Sequence, residues 1–312
     1  MLGKTAGGLY WMARYLERSE NTARLVEAGQ RMALTRSGAE DEWSSILQTA
    51  TSEEGYLLKY DEVTREHVID WLLRDPDNPS SVLSVVSAAR HNARLVRTAI
   101  TREVWESVNL AWMELKKTLG SKIVERDLPE VLASIRQRAA FVRGAMLGTM
   151  MRDDIYDFAR LGTFLERADN TARILDVKYY VLLPSAMPVG SSLDNVQWET
   201  ILRSVSAEGG FRMAYGRDVR PREIAQFLLL DSRMPRSLRF CSSKIRDNLN
   251  YLSKDYSNRM ESHDLADALY ESNVSRTVDG IIESGLHEYI QDFLGAAARL
   301  GRQIEIDYRF YE

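Results

Sequence analysis

The chain has 312 residues, 45% hydrophobic and 28% charged, with a net charge of −4: long enough for one large domain or two closely packed ones, and lacking the basic excess of a dedicated nucleic-acid binder. No apolar run approaches the roughly 18 residues of a membrane span, and Glu17, Arg18 and Glu20 interrupt any signal-peptide pattern. The single cysteine, Cys241, excludes an internal disulfide and Cys-rich zinc sites, so a cytoplasmic protein with no nucleic-acid and no membrane partner is expected.

In chain order, a long first helix is expected from about Thr5 to Leu34, followed by a helix around Trp43. The segment WLLRDPDNPSSV from Trp71 then opens a turn at Asp75. Pro79 suits the first position of the next helix, where its missing N–H would be unpaired anyway, and that helix runs through Ile100. Helices over Arg102–Leu119 and Pro129–Met151 follow. A second long helix spans about Asp154 to Leu183, where Pro184 stops it and a loop rich in Pro, Gly and Ser runs to Asn195. A helix around Trp198 comes next. FLLLDSRMPRSL from Phe227 places Asp231 and Pro235 as the first copy places Asp75 and Pro79, and the helix after it continues through Leu252. The last stretches are Asp264–Glu283 and His287–Phe310. Alternation at period two is rare throughout, so no sheet is expected.

Self-similarity is the strongest signal. LERSENTARLV from Leu16 matches LERADNTARIL from Leu165, with seven of eleven positions identical and the rest conservative. Trp43, Ile46 and Leu47 match Trp198, Ile201 and Leu202, and Arg90 and Asn92 fall on Arg246 and Asn248. The fold expected is an all-α helical bundle, a single domain over 1–312 built from two tandem diverged repeats, roughly 1–152 and 153–312, with pseudo-twofold symmetry.

On a helical wheel, Leu9, Met12, Leu16 and Ala23 mark an apolar face into which Glu20 and Glu27 also point, flanked by Glu17 and Arg24. The second copy repeats the charges as Glu166, Asp169, Arg173 and Asp176, with Asn21 and Asn170 beside them. Acids on an apolar stripe must be paired or must bind something. One reading is a buried structural network built on the i,i+4 pairs Glu20–Arg24 and Asp169–Arg173. The other is a polar pocket in which the arginines hold a carboxylate or phosphate and the acids orient an amine. Arg14 and Arg18 read as a solvated charge run. A carboxylate-bridged metal pair is disfavoured, because none of His67, His91, His263 and His287 lies three residues after a Glu; no metal and no cofactor are expected.

No Walker loop, G-x-G-x-x-G or G-x-S-x-G motif occurs. Cys241 reads as a small buried hydrophobe, and Tyr10, Trp11, Trp105 and Trp112 as core or interface. Between Arg217 and Arg246 eight basic residues face three acids. Arg233, Arg236 and Arg239 surround the expected helix start at Pro235, either a solvated face or an anion site at free backbone N–H groups.

The two LER motifs, the opening LGKTAGGLYWMARYLERSENTARLVEAG, the central LLRDPDNPSSV and FLLLDSRMPRSL, and the closing LHEYIQDFLGAAARLGRQI make the chain resemble the bacterial alpha-E domain family over essentially its whole length. The resemblance implies an all-helical fold and recurrent Glu-Arg motifs, matched by Glu17, Glu20 and Arg24 and by Glu166, Asp169 and Arg173. His91, within ARHNAR, stands where the family leads one to expect an acid. The resemblance also implies a setting beside a circularly permuted ATP-grasp protein and a transglutaminase-like protein, in a system that makes and processes amide-linked peptides. The expected role is a non-ATPase accessory or substrate-presenting subunit of that ligase system. The alternative is a stand-alone enzyme of amide-bond or acyl-phosphate chemistry that uses the acid–arginine cluster.

Overall fold

The computed structural model describes residues 2–33, 39–182, 192–216 and 220–312. Among them the chain is α-helical with no strand. Leu34, Leu183, Pro184 and Arg217 lie outside the described residues. The contacts divide the chain into a first unit, residues 1–166 with 308–312, and a second, 167–307.

The first unit begins with α1 (Gly3–Ala33), continues through α2 (Ala39–Thr49), α3 (Glu53–Leu57) and α4 (Arg65–Leu73), and then α5 (Val82–Leu95), α6 (Arg102–Leu119) and α7 (Leu128–Thr149). α8 (Asp154–Leu182) starts in this unit. α1 packs on α5 and α7, and α6 on the same two helices, closing a four-helix bundle. At one end Trp43, Ile46, Tyr56, Trp71 and Leu72 join Val26, Leu115 and Leu132 in one apolar cluster. α8 crosses α1 at backbone contact: a Cβ on Gly162 would sit 2.1 Å from the Tyr10 carbonyl oxygen. Phe310 returns to this unit, its ring 5.3 Å from that of Tyr10.

The second unit contains α9 (Ser192–Ser204), α10 (Glu208–Tyr215), α11 (Pro221–Leu230), α12 (Leu238–Asp255), α13 (Glu261–Val274), α14 (Val278–Ser284) and α15 (Leu286–Asp307). α13 packs on α12 and α15, and α11 on α12 and α14. The loop expected to reach Asn195 ends earlier, because α9 begins at Ser192. The single helix expected over Asp264–Glu283 is two: α13 ends at Val274 and Thr277 caps α14, its hydroxyl accepting from the Gly280 N–H.

Each unit, taken by itself, builds the same small motif. Tyr56 stacks on Tyr60 at 4.8 Å with Trp71 edge-on, and Phe211 stacks on Tyr215 at 5.0 Å with Phe227 edge-on. Gly55 and Gly210 face those edge-on rings, where a Cβ would lie 3.2 and 3.3 Å from the Trp71 and Phe227 ring atoms. The residue four before Gly55, Thr51, takes φ 50°, and the residue four before Gly210, Ser206, takes φ 55°. Arg90 lies 4.0 Å over the ring of Trp112 on α6, and Arg246 lies 3.6 Å over Tyr270 on α13.

The turn after this motif corrects the expected helix starts. Pro79 and Pro235 lie in the turn, and α5 and α12 begin at Val82 and Leu238. A hydroxyl sets each start: Ser81 accepts from the Ser84 N–H, and Ser237 from the Phe240 N–H at 3.0 Å. A side-chain cap of this kind satisfies a helix-end donor and contributes about 1 kcal/mol.

Candidate acid–arginine network

The repeated polar residues of α1 lie inside the first unit. Glu17, Glu20 and Asn21 are buried, at 2%, 1% and 4% exposure. Arg24 forks onto Glu20, with Nε and Nη2 3.2 and 2.7 Å from one carboxylate oxygen. The other oxygen of Glu20 accepts from Arg143 on α7 at 2.8 Å, and the same Arg143 nitrogen reaches Glu17 at 3.3 Å. Glu27 is less buried and accepts from Arg31 and from Arg136.

α1 and α7 therefore meet through matched spacings. Glu20 and Glu27 are seven residues apart, two turns or about 10.5 Å of rise. Their partners Arg143 and Arg136 are also seven apart but in descending order, as antiparallel helices require.

Glu166 is buried near the middle of α8, and it receives two guanidinium groups from α1. Arg18 donates from Nε and Nη2 at 2.5 and 3.0 Å, and Arg14 from Nε at 3.0 Å. Burial on its own pushes the Glu166 carboxyl up; Arg18 and Arg14 outweigh it and hold the group below its ordinary value, so it is ionised. The reading of Arg14 and Arg18 as a solvated run is thus corrected: each is a half-buried counter-charge.

In the second unit Arg173 forks onto Asp169 at 2.7 and 3.1 Å. Asp176 pairs with His287 Nδ1 at 2.5 Å and accepts from Gln291 Nε2 at 2.7 Å, both from α15. Seven residues beyond His287 stands the buried Leu294, where α7 carries Arg143 seven beyond Arg136. Asp169 keeps its own-helix arginine and is 30% exposed. Asn170 and Arg173 are half-buried beside it. Arg167 is buried, and its Nη1 donates to the Pro235 carbonyl at 3.4 Å.

The basic segment before α12 carries its own counter-charge. Arg233 folds back onto Asp231, bonding both carboxylate oxygens at 3.3 and 3.0 Å, and Ser237 occupies the cap of α12 while donating to the Asp231 carbonyl at 2.6 Å. Burial raises the Asp231 carboxyl, but the Arg233 side chain and N–H overcome this and lower it. Arg236 is buried and Arg239 half-buried. In the first unit Asp75 is likewise raised by burial and lowered overall by Lys59, the Asp77 N–H and the Tyr60 hydroxyl.

Among the described residues no three of His, Cys, Asp and Glu gather as metal ligands. His263 is buried against backbone groups, with Nε2 3.0 Å from the Leu249 carbonyl, His67 stacks on Tyr60, and His91 is exposed. Cys241 is buried, its Sγ 3.7 Å from the Pro235 carbonyl oxygen. Among the described residues no helix is long and apolar enough to cross a membrane.

Sequence reasoning missed the partners supplied from other helices: Arg136 and Arg143 on α7, and His287 and Gln291 on α15. The heptad spacing of Arg136 and Arg143, equal to that of Glu20 and Glu27, was the signal available.

No curated protein and no solved structure matches this chain. A family model does, over residues 1–308: Alpha-E, described as a predicted alpha-helical domain with a conserved ER motif. Glu17-Arg18 and Glu166-Arg167 are Glu-Arg pairs of this sequence, and with a match over essentially the whole length, the chain belongs to the Alpha-E family.

Proposed function

We propose that this chain is the non-ATPase companion of an ATP-grasp amide ligase, an accessory or substrate-presenting subunit that works in the bacterial cytoplasm. The observation that carries the reading is the closure of the acid–arginine network. Glu17, Glu20 and Glu166 are buried, and each already meets a guanidinium group. A catalytic acid or an anion-holding arginine has to meet a substrate, whereas these groups meet one another and fix the register of α1 against α7 and α8. Such networks specify geometry more than they add net stability. The family resemblance supplies the setting: a circularly permuted ATP-grasp protein, with a transglutaminase-like protein as a further component.

We further propose that the chain arose by duplication of one helical unit. The paired LER motifs, the Tyr56/Tyr60/Trp71 and Phe211/Tyr215/Phe227 clusters, and the Ser81 and Ser237 caps support this descent. The functional reading is tested by co-expressing the chain with an ATP-grasp protein encoded beside it. Stable co-purification and chain-dependent ATP turnover are expected; a ligase that neither binds the chain nor changes rate with it would end the proposal.

A further inference from the structure

A second feature of the molecule is independent of the acid–arginine network. Between α13 and α15 the second unit holds a cleft of about 350 Å³, within the roughly 300–1,000 Å³ range of small-molecule sites. Its floor is apolar, made by Leu269, Phe293 and the small residues Ala268, Gly295 and Ala296.

Two arginines line it. Arg276 stands between the end of α13 and the cap of α14, its guanidinium 5.4 Å from the Tyr289 ring centre. That ring is a fixed platform: Tyr289 is buried, its hydroxyl donates to Asn273 Oδ1 at 2.5 Å, and Asn273 Nδ2 donates to the Leu269 carbonyl at 2.7 Å. Arg299, on α15, lies back over Gly295, with Nη1 3.6 Å from where a Cβ would stand.

Several arginines of this unit are ion-paired: Arg173 to Asp169, Arg222 to Asp279, Arg259 to Asp264 and Asp267. Among the described residues neither Arg276 nor Arg299 forms an ion pair. Asp292, also on the lining, reduces the local charge to a net +1.

We propose that this cleft binds a small oxyanion carried on an apolar body, the arginines taking the oxyanion and the Ala268–Gly295–Ala296 floor taking the body. A guanidinium fork matches either a carboxylate or a phosphate, and both chemistries fit. Binding is measured on the chain alone, so failure here leaves the ligase proposal standing, and failure there leaves this one standing.

The test is calorimetric titration of the full chain with N-acetylphenylalanine, with its C-terminal amide, and with phenyl phosphate, repeated on Arg299→Gln and Arg276→Gln. Both arginines are exposed, so both variants should melt with the wild type. Saturable binding of the acid but not the amide, weakened about tenfold or more in either variant, is expected for a carboxylate ligand. The same pattern with phenyl phosphate alone assigns the phosphate. Ala296→Trp, which fills the floor, should abolish either. Equal binding of acid and amide, binding that survives both arginine substitutions, or no saturable binding of acid or phosphate at millimolar concentration would overturn the proposal.

Discussion

Arg18 and Glu166 lie 148 positions apart and share two hydrogen bonds, at 2.5 and 3.0 Å, so that the Arg of one repeated motif neutralises the Glu of the other. Arg14 adds a third bond to the same carboxylate. This contact ties α8 to α1 within the first unit.

Removing the carboxylate should therefore be costly. Glu166→Gln takes the buried carboxylate from the half-buried Arg14 and Arg18, a loss of about 3–5 kcal/mol. Arg18→Ala should cost less, because Arg14 remains. A double-mutant cycle in urea unfolding should give a coupling of roughly 1–3 kcal/mol. Additive losses would mean the two groups do not interact in solution.

Glu20 is held twice, by Arg24 and by Arg143. Arg24→Ala or Arg143→Ala alone should cost about 1.5–3 kcal/mol, the worth of a hydrogen bond to a charged group. Together they strip the buried Glu20 of both these guanidinium groups and take Arg143 from Glu17, and the double variant should lose more than the sum of the singles. Thermal melts of the three variants decide this.

The sign of the pH dependence follows from Glu166. Its folded value lies below the ordinary 4.5, so the unfolded chain takes up the proton first as pH falls. The stabilisation it provides is complete above about pH 5 and is lost progressively below pH 4.5, towards the lower folded value. Urea midpoints measured from pH 7 down to pH 3 should drop over that window. Asp75 and Asp231, also lowered, add to the same slope. Glu166→Gln should be less stable at pH 7 and flatter with pH; an unchanged slope would remove Glu166 from the account.

The parts of this structure set by local sequence were legible beforehand. α6 runs from Arg102 to Leu119 as its periodicity predicts, and Glu20–Arg24 and Asp169–Arg173 pair as i,i+4 spacing requires. Local competition moved the helix starts from Pro79 and Pro235 to the residues after Ser81 and Ser237, where a hydroxyl cap outweighs the proline preference. What local pattern could not supply was the partner across a helix interface. Arg18 reads as part of a solvated charge run until Glu166, 148 positions further on, packs against it. Arg143 likewise acquires its role only when α7 packs antiparallel to α1.

The close crossing of α1 and α8 gives two substitutions of opposite sign. Gly162→Ala places a Cβ against the Tyr10 carbonyl and should destabilise by about 1–3 kcal/mol through overpacking. Gly144→Ala, within α7, meets nothing within 4 Å and should stabilise by up to about 1 kcal/mol through helix propensity. Equal effects in chemical unfolding would contradict the crossing.

The most direct test of the central claim is the ATP turnover of the proposed partner ligase with wild-type chain and with Arg24→Ala, normalised to folded protein. If the network serves packing, the variant melts earlier because Glu20 loses its own-helix arginine, yet each folded molecule still binds the ligase and supports full turnover. A variant that remains as stable as wild type, still binds the ligase and no longer supports turnover would contradict the account and make Arg24 a residue that touches substrate.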